Sequence, residues 1–322
     1  MSVNAQRPRA SRRRLLVRWI LVLTALAVAI ALAIGAVVLG LRSLEPAAQV
    51  SPECVAGEYR VAPDQAANAA LIVGTTVRRG LPARAGTIGI ATALQESWMR
   101  NIDYGDRDSL GMFQQRPSQG WGTPEQVMDP VYAVNIFYDH LVAVPGYTEM
   151  AVTEAAQAVQ RSGFPDAYAQ HEELARAFAS ALTGWTEADL RCVLDPFDGD
   201  PAAVAPAVVT RLERDYGVVG TVTTLSTAST PSSGSRGAGD AARAEAGWAD
   251  VAILDARSLG RPDEDTTRLA WAIAQGAVAG AVDTGAGTVR VAASVWERET
   301  GRWRAAGENE AVPELGMVVV AP

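Results

Sequence analysis

Residues 19–41 form a run of 23 positions without a charged side chain, and residues 1–18 before it carry six arginines and no acid. No other feature of the chain limits its folding options so strongly. At about 1.5 Å of helical rise per residue the run reaches about 35 Å, enough to cross a bilayer core with modest tilt. A cleaved leader has a shorter apolar core and a small-residue cleavage site, which only Ala47-Ala48-Gln49 approaches here. The run therefore reads as a retained transmembrane helix. Arginines cluster before it and only Arg42 follows directly, which places residues 1–18 in the cytoplasm and everything from about Ser43 outward beyond the membrane.

Charge and cysteine content agree with an outward-facing chain. The net charge is −8 with no lysine at all; setting aside the six N-terminal arginines leaves −14 on the remainder. So acidic a surface argues against nucleic acid as a partner, because phosphate binding needs a basic face. Cys54 and Cys192 are the only cysteines. Outside the cytoplasm such a pair tends to be oxidised, and a bridge closing so long a loop contributes about 4–5 kcal/mol in the chain-entropy model. Two buried thiols are the alternative, since spacing says nothing about proximity. With only His140 and His171 and no clustered cysteines, metal-ligand patterns are missing, and nothing calls for a cofactor.

Beyond a stalk at 42–54, helical periodicity dominates. One helix is expected from Asp64 to Val77, ending at Gly80, and a second from about Ala83 to Glu96 after Leu81-Pro82. Asp129-Pro130 and Asp200-Pro201 each pair an N-cap aspartate with proline at the first helical position. Thr153 is expected to cap a helix to about Arg161, Phe164-Pro165-Asp166 to open a longer one to about Leu182, and Thr186-x-x-Asp189 to form a capping box. These elements make a helical domain over 55–195 and a helical extension over 196–219. A Ser/Thr/Gly linker over 220–239 then leads to a small α/β domain over 240–322. In that last segment helical stretches are expected at 241–254 and 267–282. A strand follows at 288–296, then a hairpin turn at Glu299-Thr300-Gly301-Arg302 and a final strand at 317–320. Trp296 and Trp303 flank the turn as core residues of one sheet face. The fold class is mainly α.

The second helix ends on a carboxylate, Glu96, where its apolar pattern of Ile88, Ile90, Ala91 and Leu94 stops. A long irregular insertion, residues 101–122, follows directly, and long loops in compact helical domains are often functional. A carboxyl at the apolar end of a helix, facing a polar loop, is a candidate general acid, because partial burial raises its pKa and lets it hold a proton; a solvated residue at the end of an ordinary helix is the alternative.

Glu96-Ser97, a polar loop containing Ser109, and then Gly111-Met112-Phe113-Gln114 resemble the lysozyme-like lytic transglycosylase family. That family sets a catalytic Glu-Ser pair at a helix end against a downstream Gly-Leu-Met-Gln segment. Asn101 also matches a frequent family position. The tyrosine–aspartate loop and the Phe113-Gln114-Gln115-Arg116-Pro117 run are similar to secreted actinobacterial members. The resemblance covers about residues 60–190. It implies a lysozyme-like helical domain and peptidoglycan glycan strands as the substrate. Glu96 would act as the acid and then the base that cut the MurNAc–GlcNAc bond. Ser97, Asn101, Tyr104, Asp106, Ser109, Gly111, Met112, Phe113, Gln114, Gln115 and Gln160 are implied to line the cleft, with Trp98 and Trp121 as further candidate walls. A departure falls at Val159-Gln160-Arg161-Ser162-Gly163, where the family carries Ala-Tyr-Asn-Ala-Gly and Gln160 takes the tyrosine's place. Two further readings follow from the same residues. One is a muramidase that uses Asp103, Asp106 or Asp108 as a second carboxylate. The other is a non-catalytic wall-binding protein that keeps the fold.

Overall fold

The computed structural model describes residues 10–43, 51–226, 248–260, 265–308 and 310–322, in two compact units, Met1–Ser51 and Pro52–Pro322. In the first unit a single helix, α1 (Ala10–Ser43), contains the stretch Leu16–Gly35 with mean hydropathy 2.5, long and apolar enough to cross a membrane.

The second unit begins with a small antiparallel sheet. Strand β1 (Glu53–Ala56) pairs with β2 (Tyr59–Val61) on one side and with β3 (Arg191–Val193) on the other. Cys54 and Cys192 face each other in the β1–β3 register and are disulfide-bonded. Glu53 and Cys54 thus belong to the sheet and not to a stalk. The bridge closes a loop of 138 residues, for which chain entropy predicts about 5 kcal/mol of stabilisation. The helices between residues 63 and 182 all lie inside that loop.

Helices α2 (Pro63–Arg79) and α3 (Ala83–Ser97) follow, then α4 (Pro124–Met128), α5 (Pro130–Val142), α6 (Val152–Gln160) and α7 (Glu172–Leu182). Helix α3 lies at the centre and packs on α2, α5, α6 and α7. Its sequence is poor in helix propensity: Gly86 and Gly89 alone cost about 1 kcal/mol each against alanine. Every residue from 85 to 94 is nonetheless buried, so apolar burial on all sides supplies what propensity does not. Ile88, Ile90 and Leu94 contribute about 1.5–3 kcal/mol apiece. Gly89 is needed for the fit, since a Cβ there would lie 2.7 Å from the Tyr138 hydroxyl and 2.8 Å from Ile72.

Asp129 and Asp200 cap α5 and α8 (Pro201–Tyr216) as their Asp-Pro pairs predict. Three other expectations are corrected. Thr153 lies inside α6 and its hydroxyl donates to the Pro165 carbonyl, so Ala151 is the N-cap. The segment after Pro165 forms only a 3₁₀ turn, Ala167–His171, before α7 starts. Thr186-x-x-Asp189 caps no helix; the Asp189 carboxylate accepts from the Gly57 amide and the Thr186 hydroxyl, and the chain runs on into β3.

The C-terminal third is built on a six-stranded antiparallel sheet, larger than the small α/β unit expected. Its strands are β4 (Val219–Ser226), β5 (Trp248–Asp255), β6 (Thr288–Val291), β7 (Ser294–Glu297), β8 (Arg302–Ala305) and β9 (Met317–Ala321). Their order is β4-β5-β9-β6-β7-β8. Residues 221–226, expected as linker, form β4 because threonine and valine pair well against β5. Residues 248–254, expected as helix, form β5, and the rest of the proposed linker lies outside the described residues. The predicted hairpin turn after residue 298 is present, with Trp296 directly opposite Trp303.

The sheet is not a tethered module. Helix α9 (Thr266–Ala279) packs on α2 and α7 as well as on β6 and β9, and a short α10 (Ala281–Thr284) follows it. Gln275, fully buried in α9, accepts from the Asp189 and Leu190 amides and donates to the Ala181 and Thr186 carbonyls. The Trp303 indole donates to the Leu190 carbonyl while its ring meets Trp271 edge-on. One buried amide thus satisfies four backbone groups of the segment leading into the disulfide. Gln275→Leu keeps the volume but leaves those groups unpaired in the interior. It is expected to lower stability by about 3 kcal/mol or more, read from guanidinium unfolding of the full chain in detergent micelles.

Candidate active site

The site is built where α3 emerges from the core. Glu96 and Ser97 are its last two residues, and the helix closes through Trp98 (φ 56°) and Met99 (φ 55°). Two consecutive non-glycine residues in the left-handed region are costly, about 1 kcal/mol or more each. Helix α2 holds them there: the Gln65 amide donates to the Trp98 carbonyl at 2.8 Å and the Asn68 amide to the Met99 carbonyl at 2.7 Å. The strained exit turns the chain sharply away and leaves Glu96 half-buried at the rim.

The 101–122 loop is folded back against that rim by a few specific bonds. The Ser97 hydroxyl, buried, donates to the Met112 carbonyl at 2.7 Å and accepts from the Arg100 amide. The Gln160 amide, from the end of α6, donates to the Phe113 carbonyl at 2.8 Å. Asn101 donates to the Met128 carbonyl. Leu110 and Gln115 close a turn with two backbone bonds, and Gly111 sits in it at φ 76° with Asn101 and the Val127 carbonyl directly behind its Cα. Phe113 stacks on Phe137 with ring centroids 4.5 Å apart.

Glu96 itself receives a hydrogen bond at Oε1 from the Tyr168 hydroxyl, 2.8 Å away. Burial pushes the carboxyl pKa above its ordinary value, and the hydrogen bonds from Tyr168 and Gln160 pull the other way without cancelling it. Tyr168 is fully buried, and burial together with the adjacent Glu96 charge raises its own pKa, so it stays a phenol and a donor. The result is a carboxyl that keeps its proton at higher pH than a solvated glutamate, oriented by one phenol.

The structure brings Glu96, Ser97, Gln160 and the 111–113 backbone together and adds Tyr168, which the sequence reading did not assign. The phenol that meets Glu96 belongs to a residue eight positions after Gln160. The Ala167-Tyr168 pair was a visible hint, but only the 3₁₀ turn after Pro165 shows that it reaches Glu96. Other proposed site residues hold the scaffold. Met112, Phe113 and Gln115 have almost no exposed side-chain surface, so they have none to offer a ligand; Gln115 donates to the Ala133 carbonyl. Ser109 is buried as well. Gln114 is half-buried and donates to the Tyr104 and Gly111 carbonyls.

Among the loop aspartates, Asp108 accepts from the Ser118 backbone amide and from Arg116, which hold its carboxyl well below the usual range. Asp103 and Asp106 are exposed, with Asp106 beside Arg107. Trp98 and Tyr104 are also exposed; Trp98 meets His171 edge-on, whereas Trp121 packs on His140. No protein-family model matches this chain and no curated protein matches it.

Two outcomes are expected. Gly111→Ala forces a Cβ into the Val127 carbonyl at a positive φ, so stability should fall by about 2 kcal/mol or more, seen as a lower melting temperature. Tyr168→Phe removes a bond that favours the carboxylate, so the Glu96 pKa should rise further in a ¹³C-carboxyl NMR titration. A fall on that substitution would mean that the phenol does not stabilise the charged form.

Proposed function

We propose that the chain is a membrane-anchored enzyme that cleaves peptidoglycan glycan strands outside the cytoplasm, by the lytic transglycosylase route, within a lysozyme-like helical fold. The observation that carries this reading is the partly desolvated carboxyl of Glu96, hydrogen-bonded by Tyr168 at the exit of the central helix. The apolar helix after an arginine cluster supports an anchor with the second unit outside. A disulfide fits the same oxidising side of the membrane.

In this mechanism protonated Glu96 gives its proton to the glycosidic oxygen as the bond from the muramic acid C1 breaks. The departing sugar leaves with a free 4-hydroxyl. The substrate's own acetamido group stabilises the positive charge at C1, so no second carboxylate is consumed. Glu96, now a carboxylate that accepts from Tyr168, takes the proton from the C6 hydroxyl as O6 bonds to C1, and a 1,6-anhydro ring closes. Burial suits both halves of the cycle: it keeps the acid protonated at the start and makes its conjugate a stronger base afterwards. The commitment of Asp108 to Arg116 and Ser118 favours this one-carboxylate route over a hydrolase that uses that residue.

Purified cell wall incubated with the full chain in micelles is expected to release 1,6-anhydro muropeptides, identified by mass spectrometry. Glu96→Gln should reduce release by about 100-fold or more. The rate should fall as pH rises through the raised Glu96 pKa, because the protonated form starts the reaction. Reducing ends in place of anhydro ends would make the protein a muramidase, and equal release by wild type and Glu96→Gln would remove both enzyme readings.

A further inference from the structure

Glu96 marks one end of α3; the other end borders a separate cavity of about 250 Å³ between α3 and α7. Arg84 and Thr87 line it from α3, Arg176 and Ser180 from α7, and Trp185 forms a side wall. Arg84 precedes Glu96 by twelve residues, or about 18 Å along the helix axis, so the cavity is not part of the acid's surroundings. Its volume lies below the roughly 300–1,000 Å³ of sites for drug-sized ligands and suits a small molecule or a chain end.

The polar groups around it are incompletely used. Arg84 donates through Nη2 to the Met150 carbonyl, but its Nε is buried with no hydrogen-bond partner. A buried guanidinium N–H without an acceptor is unfavourable, so Arg84 keeps unused donor capacity at the edge of the cavity. Arg176 is paired with Glu172 one turn earlier on α7. Arg84 is thus the guanidinium of the first cavity that has no carboxylate beside it, and one planar guanidinium matches a carboxylate. The Trp185 ring is 67% exposed, with the Arg268 guanidinium 4.9 Å from its centroid. A smaller hollow of about 90 Å³ shares Trp185 and Ala83 with the first and is also lined by Arg268. Two hollows that share an exposed indole in their walls fit an elongated ligand that has a charged end and a planar or apolar body.

We propose that this cavity captures the C-terminal carboxylate of a short peptide. Arg84 supplies the charge-assisted hydrogen bonds, the Thr87 and Ser180 hydroxyls further donors, and Trp185 the face on which the peptide lies. The site operates independently of the chemistry at Glu96.

Calorimetric titration of the full chain in detergent micelles tests this, with acetyl-Ala-Ala as the probe and its C-terminal amide and inorganic phosphate as comparison arms. Acetyl-Ala-Ala should bind saturably at one site and its amide at least tenfold more weakly. Arg84→Gln should weaken acetyl-Ala-Ala at least tenfold, and Glu96→Gln should leave it unchanged. Trp185→Leu alters an exposed side chain, so it should keep the unfolding profile while weakening the peptide; it decides the question if Arg84→Gln does not fold. The proposal is overturned by the absence of saturable binding, by equal affinity for acid and amide, by tighter binding of phosphate, or by wild-type affinity in folded Trp185→Leu.

Discussion

The burial of α3 on every side is the constraint on which the second unit depends. A sequence with two glycines and four β-branched residues does not make a stable helix alone; it becomes one because α2, α5, α6 and α7 close around it. Such a helix cannot shift or rotate without breaking its neighbours' packing, so the residue at which it leaves the core is set closely. That residue is Glu96, and its half-burial is a consequence of where the enclosing helices stop. The same geometry explains the raised carboxyl pKa: the group is attached to the core, and only two side-chain hydrogen bonds offset its loss of water.

Strain and support are matched around that exit. The left-handed pair at Trp98 and Met99 would relax in an isolated helix, yet two amides of α2 hold both carbonyls. Ser97 and Gln160 then take the next two carbonyls available, those of Met112 and Phe113, and so pin the long loop to the helix end. Four side-chain bonds to backbone oxygens do what a run of regular structure does elsewhere. Because each joins two elements, the helix end and the loop are held together without being continuous in sequence.

The C-terminal sheet belongs to the same construction. Gln275 and Trp303 grip the segment that leads into Cys192, and the disulfide ties that segment to β1. The last hundred residues therefore brace the helical segment that carries the proposed acid, and α9 lies directly against α2 and α7.

Much of this was legible from local pattern. The charge-free run, the Asp-Pro helix starts at 129 and 200, the extents of α2 and α3, the final hairpin and the position of Glu96 at a helix end all depend on residues close in sequence, where periodicity and capping act. Pairing of the two cysteines was readable only as a tendency. What tertiary structure decided is everything that needs a distant partner. Residues 221–226 look like linker until β5 lies beside them, and residues 248–254 look helical until the sheet claims them. The phenol at Glu96 comes from Tyr168, because a 3₁₀ turn carries it across a gap that no spacing rule predicts. Sequence by itself determined that a carboxylate would stand at the end of an apolar helix. Only packing decided how much water that carboxylate keeps and which hydroxyl it meets, because desolvation and hydrogen bonding are set by neighbours that converge in space and not along the chain.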